Sequence, residues 1–261
     1  MPSGVDHTHW NATAERTFVR QVFHLVQTDS TNDEARRRLA SGEGSPPFLV
    51  VADRQTLGRG RRGNRWWTGE GSLAMTLCLG GRSVGCLAKE TPLLSLVTAL
   101  SVAEAASHIL VHREATVHWP NDVYVGERKL AGILIETALN AYLVGVGVNA
   151  DNEAFAAPPE TAARLTTLRD LCGRRIDAAA TAIDILNRLD ENLRLTKESP
   201  ESLLAEINRR CGQRGRTMTV QAGNTRIVGS FVEISLDGEL VLATNGGRRP
   251  IASGTVTSFR G

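Results

Sequence analysis

The chain has 261 residues, of which 41% are hydrophobic and 22% charged; these proportions exclude a disordered chain, a collagen-like chain and a coiled-coil rod. Thirty Lys and Arg against 28 Asp and Glu leave a net charge of +2, which excludes a global basic field for nucleic acid and leaves room only for a local patch. At roughly 150 residues per domain, this length predicts one full domain and a smaller one.

Cys78, Cys86, Cys172 and Cys211 are far apart and form no CxxC pair, so free thiols are expected rather than a zinc site or a disulfide framework. The first 20 residues lack an apolar signal core. The most apolar stretch, residues 93–111, carries Ser95, Thr98, Ser101, Glu104 and His108. A membrane span needs ~20 predominantly apolar residues, so a buried helix is expected, and with it a soluble, cytoplasmic protein.

In chain order, residues 1–15 read as a polar, disordered tail in which His7 and His9 alternate. Residues 18–26, rich in Val and Phe, read as a strand. Thr31 and Glu34 then have capping-box spacing, which predicts a helix start. Residues 48–52 read as a strand, 55–64 as a Gly/Arg loop, and 72–79 as an alternating strand. The apolar helix, 91–112, is followed by a strand at 116–119 and a hairpin of 123–125 and 129–136 about Gly126-Glu127. Another strand covers 142–149, a loop 156–159, and helices 168–171, 178–195 and 200–210. From Arg216 onward, short Val/Ile/Thr strands alternate with turns at 222–224, 236–238 and 245–247. This tail reads as a small β-barrel, with a boundary near Gly212 that divides the chain into residues 1–212 and 213–261.

The most unusual segment is 55–67, in which four Arg and three Gly fall within residues 58–65 and Trp66 and Trp67 close the run. Glycines let backbone bend and approach a ligand, guanidinium groups bind phosphate or carboxylate bidentately, and an indole offers a flat face. Capture of a nucleotide or acyl-phosphate fits, and so, on composition alone, does a solvated basic turn or an RGG-like nucleic-acid contact. Lys129 opens a strand whose same-face neighbours, by a period of two, are Ala131, Ile133 and Ile135. A lysine there wants an anionic partner, although a hairpin lysine reaching solvent is commoner. Gly132, mid-strand, marks a close backbone approach. Asp122 and Glu136 are candidate Mg²⁺ contacts or ordinary structural carboxylates. In 144–149, Gly145, Gly147 and Asn149 share one face and the valines the other; the bare face suits either a ligand or tight packing. The hydroxyls of Ser30 and Thr31 cap a helix or hydrogen-bond a polar, uncharged head group, with Gln55 as a further partner.

Taken in order, Thr28-Asp29-Ser30-Thr31-Asn32, Gln55 with the 58–66 loop, Trp119-Pro120-Asn121-Asp122, Arg128-Lys129-Leu130-Ala131-Gly132-Ile133-Leu134 and Gly145-Val146-Gly147-Val148-Asn149 resemble the biotin–protein ligases. The resemblance spans residues 28–149, and the β-rich tail fits that family's C-terminal domain. It implies an α+β fold: a mixed sheet with helices like the class II aminoacyl-tRNA synthetases, plus an SH3-like barrel. It also implies two steps: biotin and ATP give biotinyl-5′-AMP and pyrophosphate, then a lysine of a biotin carboxyl carrier domain attacks the mixed anhydride. By resemblance, Ser30, Thr31, Asn32 and Gln55 hold the ureido ring. Gly58, Arg59 and Arg61 fold over biotin, and Gly132 lines its channel. Arg61, Arg62, Trp66, Asn121 and Asn149 meet the nucleotide, and Lys129 contacts both substrates. Lys129 and Arg59 are the implied catalytic pair. Mg²⁺ is implied by the ATP chemistry, with no ligand assigned.

Two positions depart from the family pattern. His118 stands where a lysine commonly precedes Trp-Pro-Asn-Asp, which puts a fixed positive charge there in doubt. Asn64 stands where some relatives are basic. About 27 residues precede the first motif, too few for a winged helix, so no DNA-binding or repressor role is expected. A homodimer is left open. The rivals are a lipoate–protein ligase of the same fold and a nucleic-acid-binding module using the Arg/Gly loop. The loop 58–65 is expected to be disordered without ligand.

Overall fold

The computed structural model describes residues 8–81 and 91–260; His7 and Cys86 lie outside them. The chain opens with helix α1 (Thr8–Arg16), strand β1 (Gln21–Thr28), helix α2 (Thr31–Ser41) and strands β2 (Phe48–Gln55) and β3 (Leu73–Gly80). After helix α3 (Thr91–Leu110) come β4 (Thr116–His118), β5 (Asp122–Val125), β6 (Arg128–Ala138) and β7 (Ala141–Val148). Helices α4 (Pro159–Ala162), α5 (Leu168–Cys172), α6 (Ala178–Glu198) and α7 (Pro200–Arg209) lead to strands β8 (Thr217–Ala222), β9 (Thr225–Ile234), β10 (Leu240–Thr244), β11 (Gly247–Ile251) and β12 (Thr255–Arg260).

Strands β1 to β7 form one mixed sheet in the order β1-β2-β3-β7-β6-β5-β4. β1 and β2 are parallel and the other neighbours antiparallel. Strand alternation divides the side chains between two layers. Leu73, Met75, Leu77 and Leu79 of β3 and Val144, Val146 and Val148 of β7 enter the main core with α3 and α6. Phe48, Val50, Cys78 and Leu143 turn to the other face, where Ala35 of α2 covers them. The site lies on that α2 face.

Helix α3 is long and apolar enough to cross a membrane by length and composition, yet Leu94, Leu96, Val97 and Leu100 are fully buried in the core. Thr98, Ser101 and Glu104 find partners inside the protein. Thr98 and Ser101 donate to the carbonyls of Leu94 and Val97, and Asn192 of α6 donates to Ser101 and Glu104.

Strands β8 to β12 form a second sheet in the order β11-β10-β9-β8-β12. Met218, Val220, Ile227, Leu240 and Leu242 join the same main core. The expected barrel is not closed: β11 and β12 lie at opposite ends of the sheet. β11 carries Pro250, which has no N–H to offer a further neighbour.

Other expectations are corrected. Residues 8–16 are a helix and not a disordered tail, because Trp10 is buried in the main core. The strand read at 18–26 begins at Gln21, the first residue in register with β2; Val19 packs on the core as a connector. The capping box of Thr31 and Glu34 is not made. Ser30 is the N-cap residue, and the Glu34 carboxylate accepts from Arg37 and Arg38 instead. The loop at 156–159 gives way to a short helix that begins at Pro159, a residue suited to a first helical turn.

Candidate active site

A single cleft gathers most of the predicted residues. Its walls come from the start of α2, the 59–66 loop, β5, β6 and β7, and, from the second sheet, Gly254, Thr255 and Val256.

Its floor is made of glycines. A Cβ on Gly145 would sit 2.5 Å from Asn32 Oδ1, and one on Gly147 would overlap the Trp66 indole. A Cβ on Gly132 would lie 3.2 Å from both the Lys129 ammonium and the Trp66 ring. The bare face therefore carries Asn32 at one end and Trp66 at the other. The Trp66 Nε1 is buried with no hydrogen-bond partner among the described residues.

The end beside α2 is a buried polar network. Gln55 Oε1 accepts from the Thr31 backbone N–H at 2.8 Å and lies 3.1 Å from its hydroxyl. Gln55 Nε2 donates to Thr68 Oγ1 at 3.3 Å. Thr76, 0% exposed, has its hydroxyl 2.8 Å from Thr31 Oγ1 and 2.6 Å from Asn32 Oδ1. Asn32 Nδ2 donates to Glu136 at 2.9 Å. Ser30 lines the same end and is buried.

The opposite end is charged. Lys129 Nζ lies 2.7 Å from Asp122 Oδ1 and 5.7 Å from the centre of the Trp66 ring. Its placement corrects the period-two reading. Tyr124 pairs with Lys129 and Val123 with Ala131, so Leu130 is the extra residue of a bulge. A bulge shifts all later side chains to the opposite face. Lys129 therefore shares the face of Gly132, while Leu130, Ala131 and Ile133 are buried in the core.

The three loop arginines diverge. Arg59 pairs with Asp33 and, at 3.0 Å, with Glu136. Arg61 reaches Asn121 Oδ1 at 3.4 Å and has no carboxylate partner among the described residues. Burial, and then the charge of Arg62, push Arg61 below the usual guanidinium value, with the charge of Asp122 acting against them; the cation stays charged. Arg62, at φ 56°, points the other way and donates to Thr255 Oγ1 at 3.0 Å. The loop itself is closed by Gly60 N–H to Asn64 O at 2.7 Å and Trp66 N–H to Gly58 O at 2.9 Å. A Cβ on Gly58 would meet the Trp66 carbonyl at 2.6 Å, so Gly58 shapes the loop without lining the cleft. Arg65 donates to the Thr56 carbonyl, and Asn64 lines the loop side of the cleft.

Asn121 is held by donation to the Ile133 carbonyl at 2.7 Å. Asn149 is not on the cleft wall: it is buried and its amide donates to the Lys129 carbonyl at 3.5 Å. His118 stacks on Tyr124 with ring centroids 4.1 Å apart. Burial drives its pKa down to about 4, assisted by the charge of Arg216, so the ring is neutral near pH 7.

Three further residues that support the site lie outside the sequence motifs. Thr76 is the lone hydroxyl in the apolar run of β3, a signal that was readable. Gln213 grips Trp119 by accepting from its N–H at 2.8 Å and donating to its carbonyl at 3.2 Å, and Thr255 receives Arg62; neither has a local signature. Among the described residues, no group of three or more His, Cys, Asp or Glu could hold a metal. Of the two candidate Mg²⁺ carboxylates, Asp122 lines the cleft and Glu136 lies outside its lining; each faces cations.

The profile of the Biotin/lipoate A/B protein ligase family matches residues 25–151. The biotin–[acetyl-CoA-carboxylase] ligase of Mycobacterium tuberculosis is 31% identical over 92% of this chain and 90% of its own length. The biotin protein ligase of Aquifex aeolicus, solved in complex with biotin and ATP, superposes with a TM-score of 0.80 at 32% identity, covering 92% of this chain and 99% of that one. The Leishmania major ligase in complex with biotinyl-5-AMP, 21% identical over 92% of this chain and 99% of its own, shares the fold with a TM-score of 0.62. Near-complete coverage by these relatives, together with one cleft that joins a neutral polar end to a cationic end, identifies the chain as a member of the biotin–protein ligase family.

Proposed function

We infer that the chain is an ATP-dependent biotin–protein ligase. A biotin carboxylate oxygen attacks the α-phosphorus of ATP, the bond to the β-phosphate breaks, and biotinyl-5′-AMP and pyrophosphate form. The neutral ε-amine of a carrier lysine then attacks the acyl carbon, AMP leaves, and the amide nitrogen loses a proton. The acceptor named for the Mycobacterium tuberculosis relative is acetyl-CoA carboxylase, and the biotin-carrier domain of a carboxylase is the acceptor proposed for this chain.

One observation carries the assignment of residues: the β6 bulge sets Lys129 beside the Gly132 backbone and the Trp66 ring, across the cleft from the Thr31–Gln55 end. Biotin has the matching polarity, a neutral ureido head and a carboxylate tail. Its head binds at Ser30, Thr31 and Gln55, and its tail meets the α-phosphate near Lys129 and Arg61. Cations fixed there offset charge that develops on the non-bridging oxygens, the contribution that usually dominates such catalysis. The indole N–H of Trp66, which has no partner among the described residues, is a donor for the bound ligand. Mg²⁺ enters with ATP as a substrate chelate. Mg²⁺ keeps several waters and binds through substrate phosphates, which fits a cleft whose carboxylates are already ion-paired. Arg59, tied to Asp33 and Glu136, holds the loop over the site as a lid that keeps the anhydride from water.

Isotope exchange between pyrophosphate and ATP tests this reading. Exchange that requires biotin is expected; exchange with lipoate instead would move the chain to the lipoate ligases. No exchange with either, from folded protein, would leave a binding surface for salt-dependent nucleic-acid titration.

A further inference from the structure

The chain leaves the first sheet for the second beside the turn that carries Asn121 and Asp122. We propose that Gln213 is a positioning residue for the Lys129 end of the cleft: its side-chain amide holds the Trp119 backbone, and through it the 118–122 turn that brings Asp122 to Lys129. The inference rests on the ligase reading above and adds to it a residue outside the motifs that carry that reading.

The residues after α7 run beside β4 as a one-residue parallel strand. Val117 pairs with Cys211. Its N–H donates to the Arg210 carbonyl at 2.9 Å, and its carbonyl accepts from the Gly212 N–H at 3.0 Å, the slanted pattern of a parallel ladder. Gly212 permits the approach, because a Cβ there would overlap the His118 ring and lie 2.8 Å from Thr116 Oγ1. In a continued ladder the next rung would join Trp119 to the Gly212 carbonyl and the Arg214 N–H. The Arg214 N–H instead donates to the Cys211 carbonyl at 3.2 Å, as the chain turns away toward β8. The side chain of Gln213 takes over the rung. Its Oε1 accepts from the Trp119 N–H at 2.8 Å and its Nε2 donates to the Trp119 carbonyl at 3.2 Å. A primary amide carries the acceptor and the donor that the missing backbone rung would have supplied. Gln213 is 1% exposed and Trp119 2%, so solvent does not replace these bonds when the amide is removed.

The grip on Trp119 is passed on to the cleft. The Trp119 indole is fixed separately by donation to the Gly238 carbonyl at 3.1 Å, which leaves its backbone to Gln213. The Asn121 N–H then returns to the His118 carbonyl at 3.1 Å and closes the turn. Asp122 pairs with His118 on one side and Gly132 on the other, and its carboxylate lies 2.7 Å from Lys129 Nζ. An ammonium on a flexible four-carbon stem is placed by the group it pairs with, so the position of the turn becomes the position of Lys129. The hydrogen-bond partners of Gln213 among the described residues are Trp119, Cys211 and Arg216, none of them at the Thr31–Gln55 end.

The test is biotin-dependent exchange between pyrophosphate and ATP, with calorimetric binding of biotin, for the wild-type chain, Gln213→Met and Gln213→Asn. Methionine matches the length of glutamine and makes neither bond; asparagine keeps the amide and is one methylene short of spanning both. Gln213→Met is expected to lower kcat by about 10–100-fold, the scale of loss when a reacting group is misplaced by up to about one ångström, with the Kd for biotin at its wild-type value. Gln213→Asn should show the same split with a smaller loss, and it carries the comparison should Gln213→Met fail to fold. Hydrogen exchange in residues 116–125 should quicken in both variants and stay at the wild-type level in α2, β2 and β3. A lowered thermal midpoint with wild-type kcat would reduce Gln213 to a structural tie and overturn the proposal, as would equal losses in kcat and in biotin affinity. Wild-type protein without biotin-dependent exchange overturns the ligase reading itself and this inference with it.

Discussion

The two ends of the cleft are built on opposite plans. At the α2 end, Thr31, Asn32, Gln55 and Thr76 are held by hydrogen bonds of 2.6–3.4 Å that run from β2 to β6. At the far end, Lys129, Arg61 and Arg62 arrive from a hairpin and a loop, half-buried or exposed, and Arg61 lacks an ion-paired carboxylate among the described residues. A neutral head group has no net charge to attract, so it is recognised by donors and acceptors whose directions are fixed in advance. A phosphate is recognised by charge, which acts without fine direction and tolerates longer, mobile side chains. The difference teaches that the first end determines which ligand enters and the second what happens to it.

The largest predicted effect falls at the charged end. Lys129→Ala should slow adenylate formation by about 10²–10³-fold, the usual loss for one preorganised electrostatic group, with a much smaller change in biotin affinity. Equal losses in both would make Lys129 a pocket wall and erase the contrast between the ends.

Next is the pH dependence of stability. His118 has a folded pKa of about 4, depressed by burial from 6.5. The unfolded chain therefore binds the extra proton first. His118 leaves stability undiminished above pH 6.5 and lowers it as pH falls toward 4, by up to roughly 3 kcal/mol. Glu206, held at about 2 by Arg209, acts with the carboxylate sign: its contribution is present above its ordinary value of 4.5 and is lost below it. Between pH 4.5 and 6.5 the rise from His118 is opposed by Glu104, whose carboxyl burial raises above its ordinary value; the His118 share of the slope should disappear in His118→Asn, as read by urea unfolding. A slope unchanged in that variant would count against a buried, neutral imidazole.

Gly145→Ala tests the rigidity of the head end. Its Cβ would meet Asn32 Oδ1 at 2.5 Å and the Leu134 carbonyl at 3.1 Å. Overpacking against backbone should cost ~1–3 kcal/mol, visible in the urea midpoint together with weaker biotin binding. If both stay at wild-type values, that end is soft and its preorganisation is lost as an explanation.

The smallest effect is expected at the exposed contact between loop and second sheet. Arg62→Ala should change stability by less than about 1 kcal/mol, with a few-fold rise in stray biotinylation of bystander lysines. Arg59→Ala, which frees the loop from both Asp33 and Glu136, should leak more. The reverse order would make the second sheet, rather than α2 and β6, the principal anchor of the lid.

Local chemistry was legible along the chain. Alternation in β3 and β7, the turn at Gly126-Glu127 and the length and apolarity of α3 placed these elements to within a few residues, because each rests on periodicity or turn preference over a short span. The five motifs and their order pointed to the ligase family, and the glycine face of β7 was readable from its spacing of two. What the sequence could not carry was decided by contacts far apart in the chain. One extra residue at Leu130 moved Lys129 to the ligand face, and only the register against β5 reveals it. The open second sheet depends on strand ends that do not meet. The head-end network joins Asn32 to Glu136, 104 residues apart, and to Thr76 between them. A hydrogen-bond network belongs to all of its partners, and those partners become neighbours only when the sheet has assembled.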